Sequence, residues 1–85
     1  MTHYVYILIP NNKEFSNWLY TGYTPNPGRR LKKHNRGLVQ STRPKRPYRM
    51  VIAKEFDSKA EAVAYEKELK RSSSSKKRII RNKFK

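Results

Sequence analysis

The longest apolar stretch in the chain, Tyr4 to Ile9, is six residues long, and that brevity limits what the chain can build. A helix crossing a bilayer needs about 20 consecutive apolar residues, and the stretch follows Met1 without the basic flank of a secretory signal. The expectation is a soluble, cytoplasmic protein. Within the run, His3-Tyr4-Val5-Tyr6-Ile7-Leu8-Ile9 is dense in β-branched and aromatic residues, and Pro10-Asn11-Asn12 closes it. That pattern predicts a strand followed by a turn.

Eighty-five residues make one domain, residues 1–85, whose small core buries only about 60% of the unfolded chain's surface. Leu, Ile, Val and Phe together supply 17 residues, close to the level at which a highly charged chain stays disordered. Their concentration into short runs, with six tyrosines adding semi-apolar bulk, argues for an ordered domain with a frayed basic segment over about 71–85. There is no cysteine, which removes disulfides, thiolate metal sites and a cysteine nucleophile.

Trp18 to Tyr23 reads as a second strand, and the short polar stretch before it makes the two strands antiparallel neighbours. Side chains alternate between faces. Val5, Ile7 and Ile9 share one face, Tyr4, Tyr6 and Leu8 the other; Trp18, Tyr20 and Gly22 share a face of the second strand. Asn26-Pro27 starts a helix, with a capping side chain followed by a proline whose missing N–H would be unpaired anyway, and Gly37 stops it. Arg30 and His34 stand four apart on one face of that helix, with Leu31 and Leu38 facing elsewhere. Residues 38–47 read as an exposed loop, and Tyr48 to Phe56 as a third strand. Ser58-Lys59-Ala60-Glu61 forms a capping box, each side chain bonding the other's backbone N–H, and opens a helix to about Lys70. Ala62, Glu66 and Leu69 fall on one stripe of it. Serines 72–75 read as a linker, with Ser75 capping a last short helix that docks through Ile79, Ile80 and Phe84. The order predicts an α/β fold.

Lys and Arg number 21 against 6 acids, a formal charge of +15. Solubility alone asks for a net charge of about 2 to 8 in a small domain. Nine basic residues and no acid lie between Arg29 and Arg49, and eight with no acid between Lys70 and Lys85; five of the six acids lie from Glu55 to Glu68. Fields of this size attract polyanions, because Lys and Arg release counterions condensed on a phosphate backbone. Nucleic acid is the expected partner. An anionic membrane ranks behind it, since neither basic segment has the wide apolar face of an interfacial helix. Arg29, Lys32, Lys33, Arg36, Arg43, Lys45 and Arg46 are the candidate phosphate contacts.

No Ser-His-Asp set, phosphate-cradling glycine loop or zinc spacing is present, and nothing calls for a small-molecule cofactor. What remains is Tyr6 and Tyr20 on adjacent strands, Arg30 and His34 on one helical face, and Glu66 on an otherwise apolar stripe. Taken singly, the tyrosines suit half-buried sheet aromatics, Arg30 and His34 a solvated face, and Glu66 a pair with Lys70 one turn on. The place of Glu66 between Ala62 and Leu69 nevertheless points it toward the sheet, where an ionised group needs a partner or a metal. Trp18 reads as core, and His3 carries no functional inference.

In chain order, Tyr4-Val5-Tyr6, Tyr20-Thr21-Gly22, Arg29-Arg30-Leu31-Lys32-Lys33-His34 and Glu61-Ala62-Val63-Ala64-Tyr65-Glu66 resemble the GIY-YIG nuclease domain over nearly the whole chain. The likeness is closest to small stand-alone bacterial members and extends to the N-terminal nuclease domain of the UvrC repair protein. Tyr4 and Val5 stand where the first motif has Gly-Ile. The resemblance implies a three-stranded antiparallel sheet flanked by helices. It also implies a metal-dependent endonuclease that hydrolyses DNA phosphodiester bonds, is structure-selective, and serves repair or recombination. Tyr6, Tyr20, Arg30 and His34 would then be catalytic and Glu66 the ligand of one Mg²⁺ or Mn²⁺. Two rivals stand beside it: a basic nucleic-acid-binding module on the same fold with little or no catalysis, and an RNA-associated protein.

Overall fold

A computed structural model describes residues 1–83. Three strands, β1 (His3–Pro10), β2 (Tyr20–Thr24) and β3 (Tyr48–Phe56), form one antiparallel sheet in the order β2-β1-β3. Three helices, α1 (Pro27–Asn35), α2 (Lys59–Lys70) and α3 (Ser73–Lys83), complete the α/β fold. The register sets Tyr6 opposite Gly22 in β2 and opposite Ile52 in β3, with a bulge between Val5 and Tyr6 on the β3 side.

β1 is apolar on both faces because both are covered. Val5, Ile7 and Ile9 join Val51, Ala62 and Leu69 in one core, against which Tyr65 of α2 and Ile79 and Ile80 of α3 pack. Tyr6, Leu8 and Tyr48 form the other, with Trp18, Tyr20, Leu31 of α1, Met50 and Ile52 around them. The expected stripe of α2 holds, since Ala62, Glu66 and Leu69 are its buried residues. Phe84 lies outside the described residues.

The helix ends follow local chemistry. Asn26 Oδ1 accepts from the Arg29 N–H (3.1 Å) with Pro27 at the first helical position. Gly37 takes φ 77°, and the Leu38 N–H reaches the Lys33 carbonyl while the Gly37 N–H reaches that of His34, the Schellman arrangement that favours glycine there. At α2, Ser58 Oγ accepts from the Glu61 N–H (3.2 Å) and donates to Glu61 Oε1 (3.0 Å). The box is therefore closed hydroxyl to carboxylate rather than through the Ser58 N–H.

Three expectations change. β2 begins at Tyr20 rather than Trp18, because the Trp18 N–H is already given to the Phe15 carbonyl (2.9 Å). Its ring stacks at 6.2 Å on that of Tyr20. The serines are not a linker: Ser72 caps α3 by accepting from the Ser75 N–H (3.2 Å), so serines 73–75 form its first turn. This register buries Lys76, whose Nζ donates to the Lys70 carbonyl at the end of α2 (3.4 Å). The loop 38–47 contains a 3-10 turn at Arg43–Lys45 and a fully buried Thr42, because it folds back over α1. Leu38 alone in that stretch is a large exposed apolar side chain, at 63%.

Candidate active site

Tyr6 of β1 and Tyr20 of β2 reach one open cleft of about 510 Å³, lined also by Arg30 from α1 and Glu66 and Lys70 from α2. His34 lies behind that lining, 0% exposed, with its ring edge-on to those of Tyr6 and Tyr20 at 5.9 and 5.4 Å. Tyr6, Tyr20, Arg30, His34 and Glu66, from four elements, are thereby brought to one place. Antiparallel pairing sets Tyr6 beside β2, and the Asn26 cap fixes where α1 begins, so the four-residue step from Arg30 to His34 turns both toward the sheet.

Gly22 explains itself by what covers it. A Cβ at this position would lie 2.5 Å from Tyr6 Oη and 2.7 Å from Cζ, so the phenol lies across bare backbone. Tyr6 Oη meets His34 Nε2 at 2.9 Å, and the positive charge of Arg30 acts on the same phenol. On its far side His34 Nδ1 meets Thr42 Oγ1 at 2.7 Å.

Burial pushes the Tyr6 phenol up to about 12, Tyr20 adding to the rise, Arg30 opposing it and Glu66 adding a smaller rise. Burial also holds His34 below its ordinary value of 6.5, with the charges of Arg30 and Lys33 acting in the same direction. His34 is therefore neutral at pH 7 and supplies no positive charge to the phenol, contrary to what its place beside a tyrosine suggests. It offers a lone pair instead.

Glu66 is 7% exposed and pairs with Lys70 at 3.2 Å, so the two readings of this residue coexist: it faces the cleft and holds an ammonium one turn on. Among the described residues no three His, Asp or Glu side chains gather into a metal-binding group. Two buried polar atoms in the same cleft lining, His3 Nδ1 and Thr21 Oγ1, have no hydrogen-bond partner.

Arg29, Lys32 and Lys33 on α1 and Arg36 at its C-cap are exposed and, with Arg30, line a groove free of acids. Arg30 and Pro25 line both this groove and the cleft, so the two adjoin. The loop cations are partly engaged with the fold. Arg43 Nε donates to the Gly37 carbonyl (2.8 Å) and Arg46 to that of Arg43 (2.9 Å). Lys45 lies over the rings of Phe15 and Trp18 at 5.3 and 5.1 Å. Asn82 is exposed on α3 and does not line the cleft. Thr42 escapes sequence reasoning, since nothing in a basic, proline-containing loop marks one threonine as buried.

A small antiparallel sheet with two tyrosines, an arginine and a glutamate at one cleft beside a basic groove defines a nucleic-acid-directed domain. The model of the GIY-YIG catalytic domain matches residues 2–79, and the chain belongs to the GIY-YIG family of nucleases. Similar proteins include a UPF0213 protein of Halalkalibacterium halodurans, 45% identical over 91% of this chain and 79% of its own. Another from Natronomonas pharaonis is 41% identical over 88% and 85%, and one from Staphylococcus haemolyticus is 44% identical over 80% and 79%. No solved structure gives a significant match.

Proposed function

We propose that the protein is a metal-dependent endonuclease that hydrolyses DNA phosphodiester bonds. The observation that carries this reading is the convergence of Tyr6, Tyr20, Arg30 and Glu66 on one cleft with His34 hydrogen-bonded behind Tyr6. The phosphate backbone runs along Arg29, Lys32, Lys33 and Arg36 and delivers a phosphate to Arg30. Its guanidinium opposes the charge that grows on the phosphate oxygens in the transition state. Tyr6, passing its proton to His34, becomes the base that takes a proton from the attacking water. Tyr20 closes the other side of the cleft and orients that water or the phosphate.

The donor set suits a hydrated hard cation, since one carboxylate plus waters is how Mg²⁺ is commonly held, and two cleft-lining residues, His3 and Thr21, each keep a buried polar atom without a partner. Glu66 would hold Mg²⁺ or Mn²⁺ after exchanging Lys70 for it. The ion would supply electrophilic stabilisation of the phosphate and lower the Tyr6 phenol, which burial alone leaves protonated.

Incubation of the purified chain with plasmid, nicked and branched DNA, and with RNA, plus Mg²⁺ or Mn²⁺, tests the reading. Expected is cleavage of DNA that Glu66→Ala abolishes and EDTA stops. Cleavage surviving Glu66→Ala removes the metal role, and binding without cleavage under either metal assigns the protein as a binding module. Preference for branched over linear duplex is the outcome that fits structure-selective work in repair or recombination, carried out in the cytoplasm. No helix among the described residues is long and apolar enough to cross a membrane.

A further inference from the structure

We propose that Thr42 is a positioning residue for the reaction: its hydroxyl holds His34 as the Nδ1–H tautomer, leaving the Nε2 lone pair to take the phenolic proton of Tyr6. The inference rests on the hydrolytic reading above and adds to it a residue remote from the cleft.

Donors and acceptors around His34 balance in only one arrangement. Tyr6 is 1% exposed, and a buried hydroxyl proton needs an acceptor. Among the described residues the hydrogen-bond partner of Tyr6 Oη is His34 Nε2, at 2.9 Å, and Arg30 at the same cleft has only donors to offer. Nε2 must therefore accept. In a neutral imidazole the other nitrogen then carries the proton, so Nδ1–H donates to Thr42 Oγ1 at 2.7 Å. The Thr42 hydroxyl proton goes in turn to the Val39 carbonyl at 3.4 Å, and every member of the chain is satisfied. The opposite tautomer makes Nε2 a donor and strands the Tyr6 proton.

Thr42 is itself held from two sides. Tyr48 Oη donates to the Thr42 carbonyl (2.6 Å). Asn35 of α1, next to His34, grips the Tyr48 backbone at both its N–H (2.7 Å) and its carbonyl (3.2 Å). The loop is thus clamped to the helix whose histidine it serves, and Thr42 is 0% exposed. During turnover the Tyr6 Oη–H bond breaks and a proton joins Nε2. The imidazolium then donates through Nε2–H to the phenolate and through Nδ1–H to Thr42. The phenolate takes a proton from the water as the water oxygen bonds to phosphorus and the bond to the leaving oxygen breaks. That oxygen departs as an alkoxide protonated by solvent, and His34 returns to neutral by giving its extra proton to solvent. Thr42 loses no proton at any stage, which makes it an orienting group rather than a relay.

The test reads the imidazole directly. Nitrogen-15 NMR of the full chain, with His3→Gln used to assign the remaining histidine, should show His34 protonated on Nδ1 and bare on Nε2. Thr42→Val, which leaves Nδ1–H without its acceptor, should weaken that preference and lower single-turnover cleavage of DNA with Mg²⁺ by about 10- to 100-fold, the range found when the group orienting a metal-bound imidazole is removed, with DNA affinity unchanged. Thr42→Ser should restore both tautomer and rate. A wild-type His34 protonated on Nε2 overturns the proposal, as does a Thr42→Val protein that keeps both tautomer and rate. If the wild type does not cleave at all, the hydrolytic reading fails while the tautomer measurement still decides the role of Thr42. If Thr42→Val does not fold, the wild-type and Thr42→Ser spectra decide it.

Discussion

At the scale of single residues, the cleft turns on a phenol whose environment works against its ionisation. Tyr6 is 1% exposed with its pKa pushed up to about 12, so in the proposed reaction its use as a base depends on His34 accepting and on a cation nearby. Tyr6→Phe should lower the cleavage rate by about 10²- to 10⁴-fold, the usual worth of a positioned base, while gel-shift affinity for DNA stays the same. The His34 shift has a definite sign. Its folded value lies below 6.5, so around and below that pH the unfolded chain binds more protons than the folded one, and stability falls as the pH is lowered. Melting at pH 7.5 should therefore occur at a higher temperature than at pH 5.5, with a smaller difference in His34→Gln, and cleavage should fade over the same acidic window. The Tyr6 shift acts at the other extreme: its contribution is complete below pH 10 and is lost as pH rises toward about 12.

At the scale of elements, local chemistry and tertiary packing divide the structure between them. Ser58→Ala should cost about 1 kcal/mol in urea unfolding, as loss of a helix cap does. Gly22→Ala, which drives a methyl into the Tyr6 ring, should cost about 1–3 kcal/mol by overpacking and displace the phenol from His34, lowering activity beyond what the stability loss explains. The strands, the caps of α1 and α2 and the stripe Ala62-Glu66-Leu69 were legible in the sequence because each depends on neighbours within a few residues. The start of α3 was not, since four consecutive serines offer equivalent caps and only the docking of Ile79, Ile80 and Lys76 chooses Ser72. Nor was Thr42, whose burial comes from a loop folding back onto α1. The motifs and their order anticipated the side chains that meet at the cleft, Tyr6, Tyr20, Arg30 and Glu66 with His34 behind. The neutral state of His34 was not, because it arises from burial and from charges that meet only in three dimensions.

At the scale of the molecule, a charge of +15 attracts polyanions at long range, and in the proposed reading DNA affinity concentrates on one groove. The groove on α1 adjoins the cleft, whereas Lys77 and Arg81 lie beside Ile9 at the opposite end of β1. Lys32→Glu with Arg36→Glu should weaken DNA binding and flatten the plot of log affinity against log salt by about one unit for each phosphate no longer neutralised. Lys77→Glu with Arg81→Glu should affect cleavage less at equal net charge, and an equal effect from both pairs would mean that the field acts as a whole. The central position of β1, sandwiched between two cores, has a further bearing on Tyr6. The backbone amides of that strand should be the slowest to exchange with deuterium. The phenol at the cleft is therefore anchored in the last part of the protein to come apart, and heat inactivation should coincide with global melting rather than precede it.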